Sequence, residues 1–149
     1  MSFVLESGFG SALGHNTVAI AAYAGLGLVL FVVGFRVVDL ATPGRLITVI
    51  RQERNPNATA LATAGMVAIG LIVSFSIYAS GGNLAEGLIA TLVYGLVGIV
   101  VQTVAMLVFN LLIGVKVADL CAEPKLEPAA VLLSVTYVMI GLVTGVSVI

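Results

Sequence analysis

Four long apolar runs, nearly free of charge, constrain this chain more than anything else in it. They cover about 17–38, 58–78, 88–113 and 129–149, and the first carries only Arg36, close to its end. A helix of about 20 apolar residues crosses roughly 30 Å of hydrocarbon, and every run reaches that length. A spanning strand would need about ten residues of alternating polarity, whereas these runs are longer and apolar on all sides. The expected fold is an all-α integral membrane protein with four transmembrane helices, because a helix satisfies its own backbone hydrogen bonds in lipid.

Composition removes the alternatives. Of 149 residues, 60% are hydrophobic and 9% charged, where a typical soluble domain carries about 25% charged residues. A water-facing surface cannot be built from so few charges, and disorder needs the opposite balance. Six Lys and Arg against seven Asp and Glu give a net charge of −1. No basic face follows, so the bilayer and not nucleic acid is the expected partner.

The cations set an orientation. Arg36, Arg45, Arg51 and Arg54 lie at the end of the first span or in the loop after it, and Lys116 and Lys125 lie in the third loop. Placing positive loops inside puts loops 41–56 and 114–128 in the cytoplasm and both termini outside. The first fourteen residues contain no Lys or Arg and so lack the charged start of a secretory signal. Residues 1–16 are expected to form an external arm, with Phe3, Val4, Leu5, Phe9 and Leu13 available to the interface and Gly8, Gly10 and Gly14 weakening any helix. The one cysteine, Cys121, falls in a cytoplasmic loop, which excludes a disulfide framework.

The two halves resemble each other at a constant offset of 71 residues. From Tyr23/Tyr94 to Tyr78/Ile149, 13 of 56 ungapped pairs are identical, including Gly27/Gly98, Ala58/Ala129 and Ile69-Gly70-Leu71 with Ile140-Gly141-Leu142. The layout expected is two tandem two-helix repeats, 17–79 and 88–149, joined by a short external loop at 80–87. Each unit holds two helices, so the copies enter in parallel orientation, related by an axis along the membrane normal. Within the loops, Thr42-Pro43-Gly44 should end the first helix. Residues 45–54 follow as a short amphipathic surface helix, with Leu46, Ile47, Val49 and Ile50 on one face. Asn57 is placed to cap the second spanning helix, and Pro128 suits the first turn of the fourth.

Polar residues in or near the spans are the candidate functional positions: Arg36, Asp39, Asn57, Gln102 and Asn110. Asp39 lies three residues after Arg36 and shares a face with it, so the two can pair locally at the headgroups, with Arg45 as a second partner. Its repeat counterpart is Asn110, and the two could instead line a cytoplasmic vestibule. Gln102 sits mid-span, where an amide needs an interhelical bond. His15 stands alone outside the spans. No phosphate-binding glycine loop, HExxH or GxSxG motif occurs, and no cofactor or metal is implied. Gly141 and Gly145 give a GxxxG spacing that permits close packing.

This layout resembles domain-of-unknown-function family 350, the YjfL-like bacterial inner-membrane proteins. The motifs that carry the resemblance are Asp39-Leu40-Ala41-Thr42-Pro43 after the first helix and Asn57-Ala58-Thr59-Ala60 opening the second. In the second copy Asn110 replaces the Asp and Pro128 replaces the Asn. The resemblance implies two tandem two-helix repeats in a bacterial cytoplasmic membrane. The functional expectation is a non-enzymatic, oligomeric membrane scaffold or subunit. It would engage a cytoplasmic protein partner through Arg45, Arg51, Arg54, Lys116 and Lys125. A small channel or transporter is the alternative, and a polar cavity shared by Asp39, Asn57, Gln102 and Asn110 would favour it.

Overall fold

The computed structural model describes residues 9–42 and 46–149. Pro43, Gly44, Arg45 and residues 1–8 lie outside them. Six α-helices and one π-helical turn follow in order: α1 Phe9–Ala41, α2 Leu46–Thr48 running into a π-turn Val49–Glu53, α3 Pro56–Ala79, α4 Leu84–Ile113, α5 Val117–Ala122 and α6 Pro128–Val146. The described residues contain no strand. α1, α3, α4 and α6 are each long and apolar enough to span a bilayer.

The largest departure from expectation is the start of α1. Residues 9–16, expected in an external arm where glycines weaken any helix, are the first turns of one 33-residue helix. At 1.5 Å per residue it extends about 50 Å, well beyond the hydrocarbon. Gly10 and Gly14 cost helix propensity, but they sit within a run long enough to propagate through them.

Side-chain contacts give the direction of each span. Gly34 lies against Ile69 and Gly65 against Val38, so α1 and α3 are antiparallel. Gly95 meets Leu30 and Gly87 meets Tyr23, so α4 runs parallel to α1. Gly141 meets Ala68 and Gly145 meets Phe75, so α6 runs parallel to α3. α3 packs against all three other spans and α4 likewise touches α1, α3 and α6, whereas α1 and α6 share no comparable interface. An axis exchanging the halves would map the α3–α4 contact onto α1–α6, so the packing departs from an exact twofold.

Glycine sets the α3–α6 distance. A Cβ at Gly141 would stand 2.5 Å from both Ala68 Cα and Ala68 Cβ, which leaves no room for one. Close approach of this kind is the main source of helix attraction in lipid, where burial of apolar surface gains little. The outward faces of α1 and α4 are apolar and exposed, as at Leu28, Val29, Val97 and Val100, and belong against acyl chains.

Candidate functional site: an asparagine clamp at one end of the bundle

The loops after α1 and after α4 meet at the start of α3. Val49 and Ile50 of the π-turn pack on the same apolar cluster as Val117, Leu120 and Cys121 of α5 and Ala58 and Leu61 of α3. Two asparagines fasten this junction. Asn55 is the N-cap of α3: its Oδ1 accepts from Ala58 N at 3.0 Å. Its Nδ2 donates to Cys121 O and Glu123 O, both at 2.8 Å. Asn57 is fully buried. Its Nδ2 donates to Lys125 O at 2.7 Å, Leu120 O at 3.0 Å and Glu123 O at 3.1 Å, and its Oδ1 accepts from Glu127 N at 2.8 Å. The carbonyls of Leu120, Cys121, Glu123 and Lys125 thus converge on two side-chain amides.

This corrects the capping assignment. Asn55, not Asn57, caps α3, because Pro56 occupies the first helical position and places the cap one residue before itself. Asn57, one position further, is turned away from its own backbone and grips the other loop. Pro128 does open α6, but its N-cap Glu127 makes no side-chain cap bond; Asn57 instead fixes that corner through the Glu127 amide. Arg54, at φ 50°, takes the left-handed conformation that turns the chain from the π-turn into Asn55.

The remaining candidates are dispersed. Gln102 is fully buried and donates from Nε2 to Tyr137 O at 3.0 Å, while its Oε1 has no partner among the described residues. Asn110 Oδ1 accepts from the Tyr137 hydroxyl at 2.7 Å. Tyr137 of α6 thus ties two polar residues of α4 together, a role with no sequence signal beyond its place in an apolar helix. Arg36 is exposed and Asp39 half-buried. The expected Arg36–Asp39 pair does not form: Asp39 Oδ1 is buried without a hydrogen-bond partner among the described residues. Arg45 lies outside the described residues. Arg51, Arg54, Lys116 and Lys125 are exposed at the clamped end.

Cys121 is buried beneath the clamp. Burial pushes its thiol above the usual range, and the Glu53 carboxylate across the junction adds to the effect. No group of three His, Cys, Asp or Glu able to hold a metal occurs among the described residues. The grooves on the spans are mainly apolar, with a few hydroxyl side chains such as Thr63, Ser134, Thr144 and Ser147. One of about 440 Å³ lies between α3 and α6, edged by Ala60, Ala64, Val135 and Met139, and none of the four polar span positions lines it.

A bundle of four apolar spans whose loops are clamped at one end is a multi-pass membrane protein. The chain belongs to the family described as Domain of Unknown Function (DUF350), whose model matches residues 11–148. It is similar to a UPF0719 transmembrane protein of Mycolicibacterium paratuberculosis (strain ATCC BAA-968 / K-10), 34% identical over 89% of this chain and 88% of the relative. UPF0719 transmembrane proteins of Mycobacterium bovis and Mycobacterium tuberculosis are each 37% identical over 89% of this chain and 85% of theirs. No solved structure matches.

Proposed function

We propose that this chain is a non-enzymatic, oligomeric subunit of the bacterial cytoplasmic membrane, and that its clamped end is a platform on which a cytoplasmic protein docks. One observation carries the reading: the Asn57 side chain binds three carbonyls and one amide of the other loop. Two loops far apart in sequence thereby become one rigid surface edged by exposed Arg51, Arg54, Lys116 and Lys125. A preorganised surface binds without the ordering cost of mobile loops. The split of cations between the two ends turns that surface to the cytoplasm.

The transport alternative required Asp39, Asn57, Gln102 and Asn110 to face one cavity. Three of them are instead engaged with neighbouring segments: Asn57 with loop carbonyls, and Gln102 and Asn110 with Tyr137. That disposition supports a packing role over a conduction role.

The test is co-purification in native lipid of the parent, the Asn57→Ala variant and a variant with Arg51, Arg54 and Lys125 changed to Gln. A protein retained stoichiometrically by the parent and lost from both variants is the expected result. Identical companions for all three, in folded protein, would refute the platform. A liposome flux assay checks the alternative: a flux in the parent that Asp39→Asn abolishes would reinstate transport.

A further inference from the structure

The segment from α2 through the π-turn joins two spans, since α1 ends at Ala41 and α3 opens at Pro56. It therefore sits where the apolar runs stop, at the edge of the hydrocarbon. Val49 and Ile50 turn inward onto the core. The exposed face carries Ile47, Thr48, Arg51 and Gln52. Their spacing of i, i+1, i+4 and i+5 sets them side by side on a helix. Together they line a groove of about 370 Å³, within the range of small-ligand sites. Residues 49–53 take the π form, and single π-turns recur at functional sites.

The lining selects the occupant. Arg51 offers a fork of guanidinium N–H groups, Gln52 an amide and Thr48 a hydroxyl. Among the described residues, no hydrogen bond or ion pair engages any of these three side chains. Thr17, Thr42, Thr59, Thr103 and Thr136 each return their hydroxyl to the carbonyl four residues back; Thr48 keeps its own free for a ligand. No acidic side chain among the described residues lines the groove, and Glu53, the acid of this turn, lies toward Cys121. The complement of such a lining is an acceptor-rich anion joined to an apolar body that rests on exposed Ile47. A phospholipid at this depth has both parts, and a guanidinium takes phosphate oxygens by two parallel bonds. A choline or ethanolamine headgroup brings its own cation, which finds no carboxylate here to answer it. An anionic headgroup is therefore the better match.

We propose that this groove is a lipid site: it seats the phosphodiester of one anionic glycerophospholipid against Arg51, Thr48 and Gln52, with Ile47 facing the acyl-bearing end. The inference requires only that the chain sit in a bilayer, and its test contains no second protein, so it and the docking platform fail separately.

The full chain, purified in detergent and stripped of lipid, is titrated with phosphatidylglycerol or phosphatidylcholine, and bound lipid is counted by native mass spectrometry. One phosphatidylglycerol should bind, and more tightly than phosphatidylcholine. Arg51→Gln should weaken it by about tenfold or more, the worth of a charge-assisted pair. Thr48→Val leaves the net charge alone and should weaken it by a smaller factor. Arg36→Gln, an equal loss of charge outside the groove, should leave binding unchanged. A loss in Arg36→Gln as large as that in Arg51→Gln means diffuse attraction of anionic lipid to cations and overturns the site, as does a parent without preference for phosphatidylglycerol. Glycerol phosphate, the headgroup chemistry without tails, is the competitor: displacement of the lipid at matched concentration would assign the groove to a soluble phosphate and overturn the lipid. Circular dichroism checks that each variant is folded. Should Arg51→Gln fail to fold, Thr48→Val decides alone, and unchanged affinity there overturns the proposal.

Discussion

Asn57 is the side chain whose removal should be felt most at the clamped end. Its Nδ2 carries two hydrogens, so the three carbonyls at 2.7–3.1 Å share two donated bonds, and Oδ1 accepts a third. At about 1 kcal/mol per bond, Asn57→Ala should cost about 3 kcal/mol. Water entering the gap can rescue the carbonyls of exposed Glu123 and Lys125, and Leu120 O keeps its bond from Glu123 N at 3.2 Å. Asn57→Asp is nearly isosteric yet should cost more than Ala. At neutral pH it places a carboxylate oxygen against three carbonyl oxygens and supplies no donor. The α3 N-terminus returns only about 1 kcal/mol or less. The same surroundings raise the carboxyl's pKa in the folded state, so the Asp variant should lose stability as pH rises through that value and recover it in acid, where the protonated carboxyl donates once. Reversible unfolding by SDS titration of mixed micelles, followed by circular dichroism, reads the free energies. Amide exchange across 117–127 reads the local release. A cost below about 1 kcal/mol for Asn57→Ala, or an Asp variant no worse than the Ala variant at neutral pH, would show that these bonds do not hold the loop.

Gly141→Ala should destabilise by about 2–3 kcal/mol in the same titration, because the new methyl meets backbone. Gly70→Ala, with nothing nearer than a Phe31 ring carbon at 3.8 Å, should be neutral or gain about 0.5–1 kcal/mol from helix propensity. Cys121 should react slowly with maleimide at neutral pH and faster in Asn57→Ala; equal rates would mean that the clamp does not shield it. Because burial and Glu53 raise its thiol, the stability it contributes is complete below the ordinary thiol range and declines as pH rises past the raised value, a loss that Cys121→Ala should remove. A C-terminal reporter active only in the cytoplasm should stay silent; activity would reverse the orientation drawn from the cations.

The class of fold was legible in the sequence because the bilayer imposes it. A run of about 20 apolar residues has one stable solution in hydrocarbon, so the four spans followed from the apolar runs; the loop expected at 80–87 is shorter, because α4 starts at Leu84, and the surface helix expected over 45–54 is a short α-helix Leu46–Thr48 running into a π-turn Val49–Glu53. The Asn55 cap is also readable, since Asn before Pro at a helix start is a local rule. What local pattern could not supply was the use of each polar side chain. Asn57 bonds to residues 63–70 positions away, and Tyr137 bonds one asparagine 27 positions away and takes a glutamine's hydrogen 35 away. Nothing in a span's own periodicity encodes which neighbour it will meet, because apolar helices in lipid are nearly interchangeable until shape and a few hydrogen bonds choose among them. The Arg36–Asp39 pair shows the same limit: residues three apart on a helix can reach each other, yet Asp39 Oδ1 is buried without a hydrogen-bond partner among the described residues. The sequence by itself determined that this chain lives in a membrane and where it crosses. The tertiary structure alone decided that its two loops form one surface, since that depends on the meeting of side chains distant in the chain.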